Sequence, residues 1–196
     1  MEAIVDCCAE KTYAATTIAD IVSHASISRT TFYKRFGGKR ECFDGALDWC
    51  VEEVRAAAAA SHSPTDAPAV AVRKGAARIL ELMAAKPALT QLLMGEAVSV
   101  EPAVIERYRK LVIPPLEKLW ADAGEPRKGR TDPRLAFGRA QVLIYNQITT
   151  GQAERLPELL PEIVYLALLP FSGHEAALSQ ARRAGDATDA ELSADR

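Results

Sequence analysis

Apolar positions recur with helical spacing along nearly the whole chain, and β-branched runs alternating with polar residues, the mark of strands, do not occur. Ile18, Ile21, Val22 and Ala25 fall at i, i+3, i+4 and i+7, which lays one buried stripe along a helix of about two turns. Thr17 stands at its N-cap with Asp20 three residues on, a short-armed capping box. Ser26 and Ile27 then make a turn, and Ser28 caps a second short helix in which Ile27 and Phe32 are spaced as a hydrophobic staple. Phe32 and Phe36 share the inner face of that helix. Arg29, Thr30, Thr31, Tyr33 and Lys34 fall on its outer face, a set of cations and hydroxyls able to donate to phosphate oxygens and base edges.

The rest of the pattern predicts more helices. One runs from Lys39 through an alanine string to about Ala60, with Phe43, Leu47, Cys50, Val51 and Val54 as its inner stripe. Residues 61–68 and 124–133 read as loops, and the three cations of the second are a solvated turn. Helices are expected over 69–85, 87–98, 102–123 (broken after Val112 by Pro114 and Pro115), 133–152 and 156–184. Hydrophobicity falls from Gly173 onward, and 185–196 has the composition of a disordered tail. The predicted fold class is all-α: a three-helix helix-turn-helix domain over 1–48, a helical ligand-binding and dimerisation domain over 49–184, then the tail. In the last two long helices Val142, Leu143, Ile144, Ile148, Ile163, Val164, Leu166, Ala167, Leu168 and Leu169 are more apolar surface than one short core needs, a candidate seam with a second copy.

Composition narrows the function. The 196-residue chain has a net charge of only −2, so any attraction to nucleic acid rests on local asymmetry. Arg29, Lys34, Arg35, Lys39 and Arg40 lie within twelve residues with no carboxylate between them. Taken alone such a run reads equally well as a solvated helix face. Joined to the caps, the staple and the aromatic pair, it points to DNA. Met1 leads into an acidic amphipathic segment rather than a signal peptide, and no apolar run approaches the roughly 20 residues of a membrane span, so a cytoplasmic protein with no membrane partner is expected. Cys7, Cys8, Cys42 and Cys50 lack CxxC spacing and sit where small apolar residues would serve; core packing is expected, no metal site, and a redox-sensing thiol is the alternative. The three histidines, at 24, 62 and 174, join no catalytic constellation, and no phosphate-cradling glycine loop occurs, so neither a catalytic residue nor a cofactor is expected.

The stretches AEKTY, TTIADI, SRTTFYKRF and GGKRECF, in that order, resemble the DNA-binding domain of the TetR family of bacterial transcriptional regulators, from about Ala3 to Trp49. The resemblance implies that Thr17, Arg29, Thr30, Thr31, Tyr33, Lys34 and Lys39 meet a double-stranded DNA operator, with Tyr33 and Lys39 on phosphates. Ser28, at the cap of the recognition helix, joins these candidates. Gly37 and Gly38 are expected to supply a left-handed stop before the fourth helix, leaving Lys39 in its first turn beside free backbone N–H groups. Two departures stand out: Ser26 and Thr12 each replace a glycine of the family pattern, at a cost of about 1 kcal/mol where φ is positive. Met1 falls inside the expected first helix, so the basic arm that precedes it in relatives is either absent or lies upstream of Met1.

The resemblance further implies a homodimer joined through the last two long helices, a palindromic operator, and a small-molecule effector, mostly apolar. A repressor is expected rather than an activator, the commoner role in the family. Candidates for the effector pocket are Met83, Leu93, Met94, Tyr108, Leu111, Trp120, Phe137, Tyr145 and Asn146: large or pliant apolar side chains, with an amide to meet a polar group. A helical enzyme and a purely structural interaction protein are the remaining alternatives; the second would not need the acid-free basic segment.

Overall fold

A computed structural model of the chain describes residues 1–63, 65–96, 110, 113–115, 117, 118, 121 and 128–194. The elements are α1 (Glu2–Lys11), α2 (Ile18–His24), α3 (Arg29–Tyr33), α4 (Lys39–Ala60), α5 (Pro68–Ala85), α6 (Pro87–Gln91) running on into a π-helical turn (Leu92–Glu96), α7 (Pro133–Thr149), a 3-10 segment (Ala153–Leu159), α8 (Leu160–Ser172) and α9 (His174–Ala194). The architecture is all-helical, with no strand among the described residues. Proline at the first position of α5, α6 and α7 starts each where a missing N–H costs nothing, and the Asp132 side chain accepts from the Arg134 N–H at 2.8 Å to cap α7.

Helix α1 packs on α2, α4 and α6, α3 packs on α2, and α4 lies along α5. Helix α8 sits at the centre of the remainder, against α5, α7 and α9. One apolar core runs through both parts, from Ile4, Phe32 and Phe43 through Leu80, Met83 and Leu92 to Val164, Leu168 and Ala177. Besides α4, α6 ties the two parts together: the Gln91 amide donates to the Ala9 carbonyl at 3.2 Å, and Lys86 pairs with Glu53 of α4 at 2.7 Å beside the Trp49 ring.

Several expectations are corrected. The single helix expected over 156–184 is three pieces, because residues 153–159 wind as 3-10 helix and Gly173, at φ 80°, breaks the chain between α8 and α9. Only glycine takes that conformation freely. The tail expected over 185–196 is helical as far as Ala194; it continues a helix seated by buried Ala177, Ala181 and Ala184 at i, i+4 and i+7. The helix over 87–98 becomes α6 and its π turn. Gly37 and Gly38 are not left-handed: Gly38 is extended at φ 174°, and the left-handed glycines among the described residues are Gly151 and Gly173. Most of the predicted helix over 102–123, and residues 124–127 of the second loop, lie outside the described residues.

Candidate nucleic-acid interface and effector cavity

The turn between α2 and α3 is built by side chains that satisfy backbone groups. Thr17 Oγ1 accepts from the Asp20 N–H at 3.2 Å while Asp20 accepts from the Thr17 N–H at 2.9 Å and its hydroxyl at 2.7 Å, a complete capping box. Lys11 donates to the same carboxylate at 2.8 Å, tying α1 to α2. These bonds, Lys11 foremost, hold the Asp20 carboxyl well below the usual carboxylate range. Ser28 Oγ accepts from the Thr31 N–H at 3.0 Å to start α3. Ser26 does take φ 52° and Thr12 φ 74°, so both departures from glycine are carried as backbone strain.

Helix α3 thereby divides its side chains. Phe32 is buried and packs on Phe36 with ring centroids 5.4 Å apart, whereas Arg29, Thr30, Thr31, Tyr33 and Lys34 are all exposed. Tyr33 stands 55% exposed and edge-on to Phe32, an orientation that leaves its hydroxyl in solvent. Arg29, Lys34 and Arg35 have no ion-pair partner among the described residues, so their charge faces outward undiminished. Thr17, Ser28 and Thr31 are exposed too, but their hydroxyls already serve the caps. Ile27 remains 40% exposed, so the expected staple is not sealed against solvent.

Lys39 is placed differently from the expectation that it faces free N–H groups in the first turn of α4. Its ammonium donates to the Tyr13 carbonyl at 2.9 Å and the Thr16 carbonyl at 2.8 Å, and lies 4.3 Å from the Tyr13 ring centroid. It clamps the link between α1 and α2 to the start of α4. Glu41 completes that end by accepting the Gly37 N–H at 2.6 Å. Thr16, 1% exposed, sets its hydroxyl between the Thr12 and Cys7 carbonyls at 2.7 and 3.1 Å and so serves the C-terminal carbonyls of α1. The roles of Lys39, Glu41 and Thr16 escape sequence reading, because their partners lie across the fold or in a non-helical link.

A cavity of about 410 Å³ lies between α4, α5, α7 and α8. Helix α4 presents Val51, Val54, Arg55, Ala58 and Ala59 to it, one continuous face that His62 extends just past the helix end, and small Ala58 lies against Gly75 of α5. Of the predicted pocket residues, Met83, Met94 and Phe137 line the cavity. Leu93 is buried in the core without lining it. Tyr145 and Asn146 are corrected: both are exposed on the outer side of α7. Tyr108, Leu111 and Trp120 lie outside the described residues. The polar lining groups Arg55, His62 and Gln141 are not among the sequence candidates, although Arg55 lies on the apolar face of α4 and His62 follows just past its end.

The expected seam is likewise redistributed. Ile144, Val164, Leu166 and Leu168 are buried within the chain, while Leu135, Val142 and Tyr145 stand 56%, 57% and 45% exposed. Leu135 and Val142 border an apolar groove completed by Pro161 and Tyr165 of α8 and Leu178 and Ala181 of α9.

All four cysteines are buried. Burial pushes the Cys7 and Cys42 thiols up and takes Cys50 to about 12, the reverse of a reactive thiol. No described helix is long and apolar enough to cross a membrane.

A capped helix-turn-helix, with a basic face unpaired among the described residues, is thus set on a helical body with a cavity. Residues 1–46 match the family described as bacterial regulatory proteins, tetR family. The match covers the helix-turn-helix end of the chain. No curated protein matches its sequence. Similar solved structures include the fatty acid degradation regulator FadR from Bacillus halodurans (19% identity, TM-score 0.68, 85% of this chain and 95% of that one). FadR from Bacillus subtilis, in complex with stearoyl-CoA, is 18% identical with TM-score 0.65 over 88% of this chain and 96% of that one. The TetR-family regulator PfmR from Thermus thermophilus is 20% identical with TM-score 0.57 over 86% and 95%. At these identities the likeness is one of fold.

Proposed function

We propose that the protein is a ligand-responsive repressor that binds a palindromic operator as a homodimer, each α3 entering a major groove. The observation that carries this reading is the division of α3, with Phe32 1% exposed in the core and Arg29, Thr30, Tyr33 and Lys34 all turned to solvent without competing partners. A short helix so presented reads base edges, with Arg29 suited to a guanine and Tyr33 and Lys34 to phosphates. Thr17, Ser28, Thr31 and Lys39 set its angle, and their backbone bonds place them at the rim of the contact. One helix-turn-helix per chain needs a second copy to read a dyad, and the groove beside Leu135 and Val142 is apolar surface that a two-fold partner would cover.

The cavity supplies the response. Helix α4 begins with Lys39 beside the DNA-reading helices and lines the cavity from Val51 to Ala59, so an occupant acts on the lever itself. A ligand changes DNA affinity only through different binding free energies for the two arrangements of the dimer. Tilting α4 alters the separation of the two α3 helices until they no longer fit consecutive grooves. The acyl-CoA held by one structural relative is in keeping with a largely apolar effector. Redox sensing is disfavoured by the four buried thiols.

Selection of binding sites from a random duplex pool tests the reading. Dyad-symmetric sites with half-sites about one helical turn apart or somewhat more are expected, bound with a steep fall in affinity as salt rises. Sites without symmetry, or a monomer in sedimentation at micromolar concentration, would contradict it.

A further inference from the structure

Within the cavity the polar groups are few and of one kind. Its lining includes Arg55 from α4, His62 from the link after it and Gln141 from α7 as the polar side chains, and no carboxylate among the described residues. Glu52 holds the Nε and Nη2 edge of Arg55 at 2.7 and 2.6 Å, which leaves Nη1 with its two N–H donors unengaged. His62 Nδ1 lies 2.9 Å from the Ala58 carbonyl, an acceptor that fixes Nδ1 as the protonated nitrogen. The Gln141 amide, half-buried, makes no hydrogen bond among the described residues. Around these groups stand Val51, Leu80, Met83, Phe137, Ile144 and Ile163, which offer no polar partner.

From this lining we infer that the effector is an apolar chain ending in an acyl oxygen acceptor, a carboxylate or an ester-type carbonyl, and not a cation. The inference rests on the effector reading of the cavity. An ammonium head has no lone pair to accept from the Arg55 Nη1 and Gln141 N–H donors, and no carboxylate stands among the described lining residues to receive it. An acyl oxygen instead completes the unused donors of Arg55 and Gln141, while the chain fills the space left by Ala58, Ala59, Ala76 and Ala140. Arg55 is 58% exposed, which places the polar end at the mouth and the chain inward.

Decanoate, methyl decanoate and decyltrimethylammonium, identical in chain and different in head, distinguish the possibilities by calorimetric titration below micelle formation. The intact protein is expected to bind decanoate or its ester about tenfold or more tightly than the ammonium compound. The stronger of the two shows whether the acceptor is charged. Arg55→Gln, at an exposed position that leaves the core untouched, is expected to remove most of that preference, and Gln141→Leu part of it, with melting curves unchanged. Equal binding of all three heads, or a preference that survives Arg55→Gln, would overturn the head-group assignment while leaving the cavity as a binding site. No binding of any probe by a sample that still binds its selected duplex would overturn the acyl assignment without touching the DNA-binding reading.

Discussion

Residues 16–43 and residues 153–194 are both helical with apolar inner faces, yet different forces hold them. In the first region each short helix is started by a side chain: Thr17 and Asp20 close the box on α2, Ser28 caps α3, and Lys39 binds two carbonyls of the preceding link. Helices of seven and five residues cannot stand on propensity, so caps and a few aromatic contacts must fix them. In the second region α8 carries no side-chain cap and is held by burial of Leu160, Val164, Leu168 and Phe171, with Gly173 setting where α8 gives way to α9. Polar anchoring fixes the angle at which α3 faces outward. Apolar packing leaves room for a cavity and tolerates movement around it.

Single substitutions break this comparison at different strengths. Phe32→Ala should be the most damaging, at about 3 to 5 kcal/mol, because the ring is the one fully buried side chain of α3. DNA binding should vanish while the helices beyond α4 keep their hydrogen-exchange protection; loss of protection throughout would show that the two regions do not unfold separately. Lys39→Ala should cost roughly 1.5 to 3 kcal/mol through the lost charged hydrogen bonds. Both the melting temperature and duplex affinity should fall. Unchanged stability with weaker DNA binding would return Lys39 to a purely phosphate-binding role.

Ser26→Gly should raise stability by about 1 kcal/mol by relieving the positive φ, measured by urea denaturation. No gain would mean that the serine carries its conformation without strain. The smallest effect concerns acid. The Asp20 carboxyl is depressed in the fold, so its contribution is present above the ordinary aspartate range near pH 4 and is lost as pH falls below it. Asp20→Asn should therefore weaken the protein at neutral pH and flatten its loss of stability in acid. An unchanged acid profile would remove Asp20 from the link between α1 and α2.

The same division explains what is legible in the sequence. Caps and stripes at i, i+3 and i+4 are local, so α2, α3 and the full extent of α4 can be read directly from residues such as Thr17, Ser28 and Phe43. Lys39 cannot, because its carbonyl partners lie 26 and 23 residues away. In the body, residue type is a poor guide to facing. Ile144 lines the cavity while Tyr145, one residue on and so turned by about 100°, points outward. Arg55 on α4 and His62 just after it escape a reading of the sequence because lone polar side chains beside an apolar face carry no motif, and their meaning depends on what α5 and α7 place opposite.

The claim that α3 reads DNA through its exposed face is tested most directly by repeating site selection with Arg29→Ala beside the unaltered protein. The variant should stay folded, keep the dyad, and lose preference at one base pair in each half-site, at a cost of about 1 to 3 kcal/mol on the original sequence. An unchanged consensus bound with unchanged affinity would contradict it.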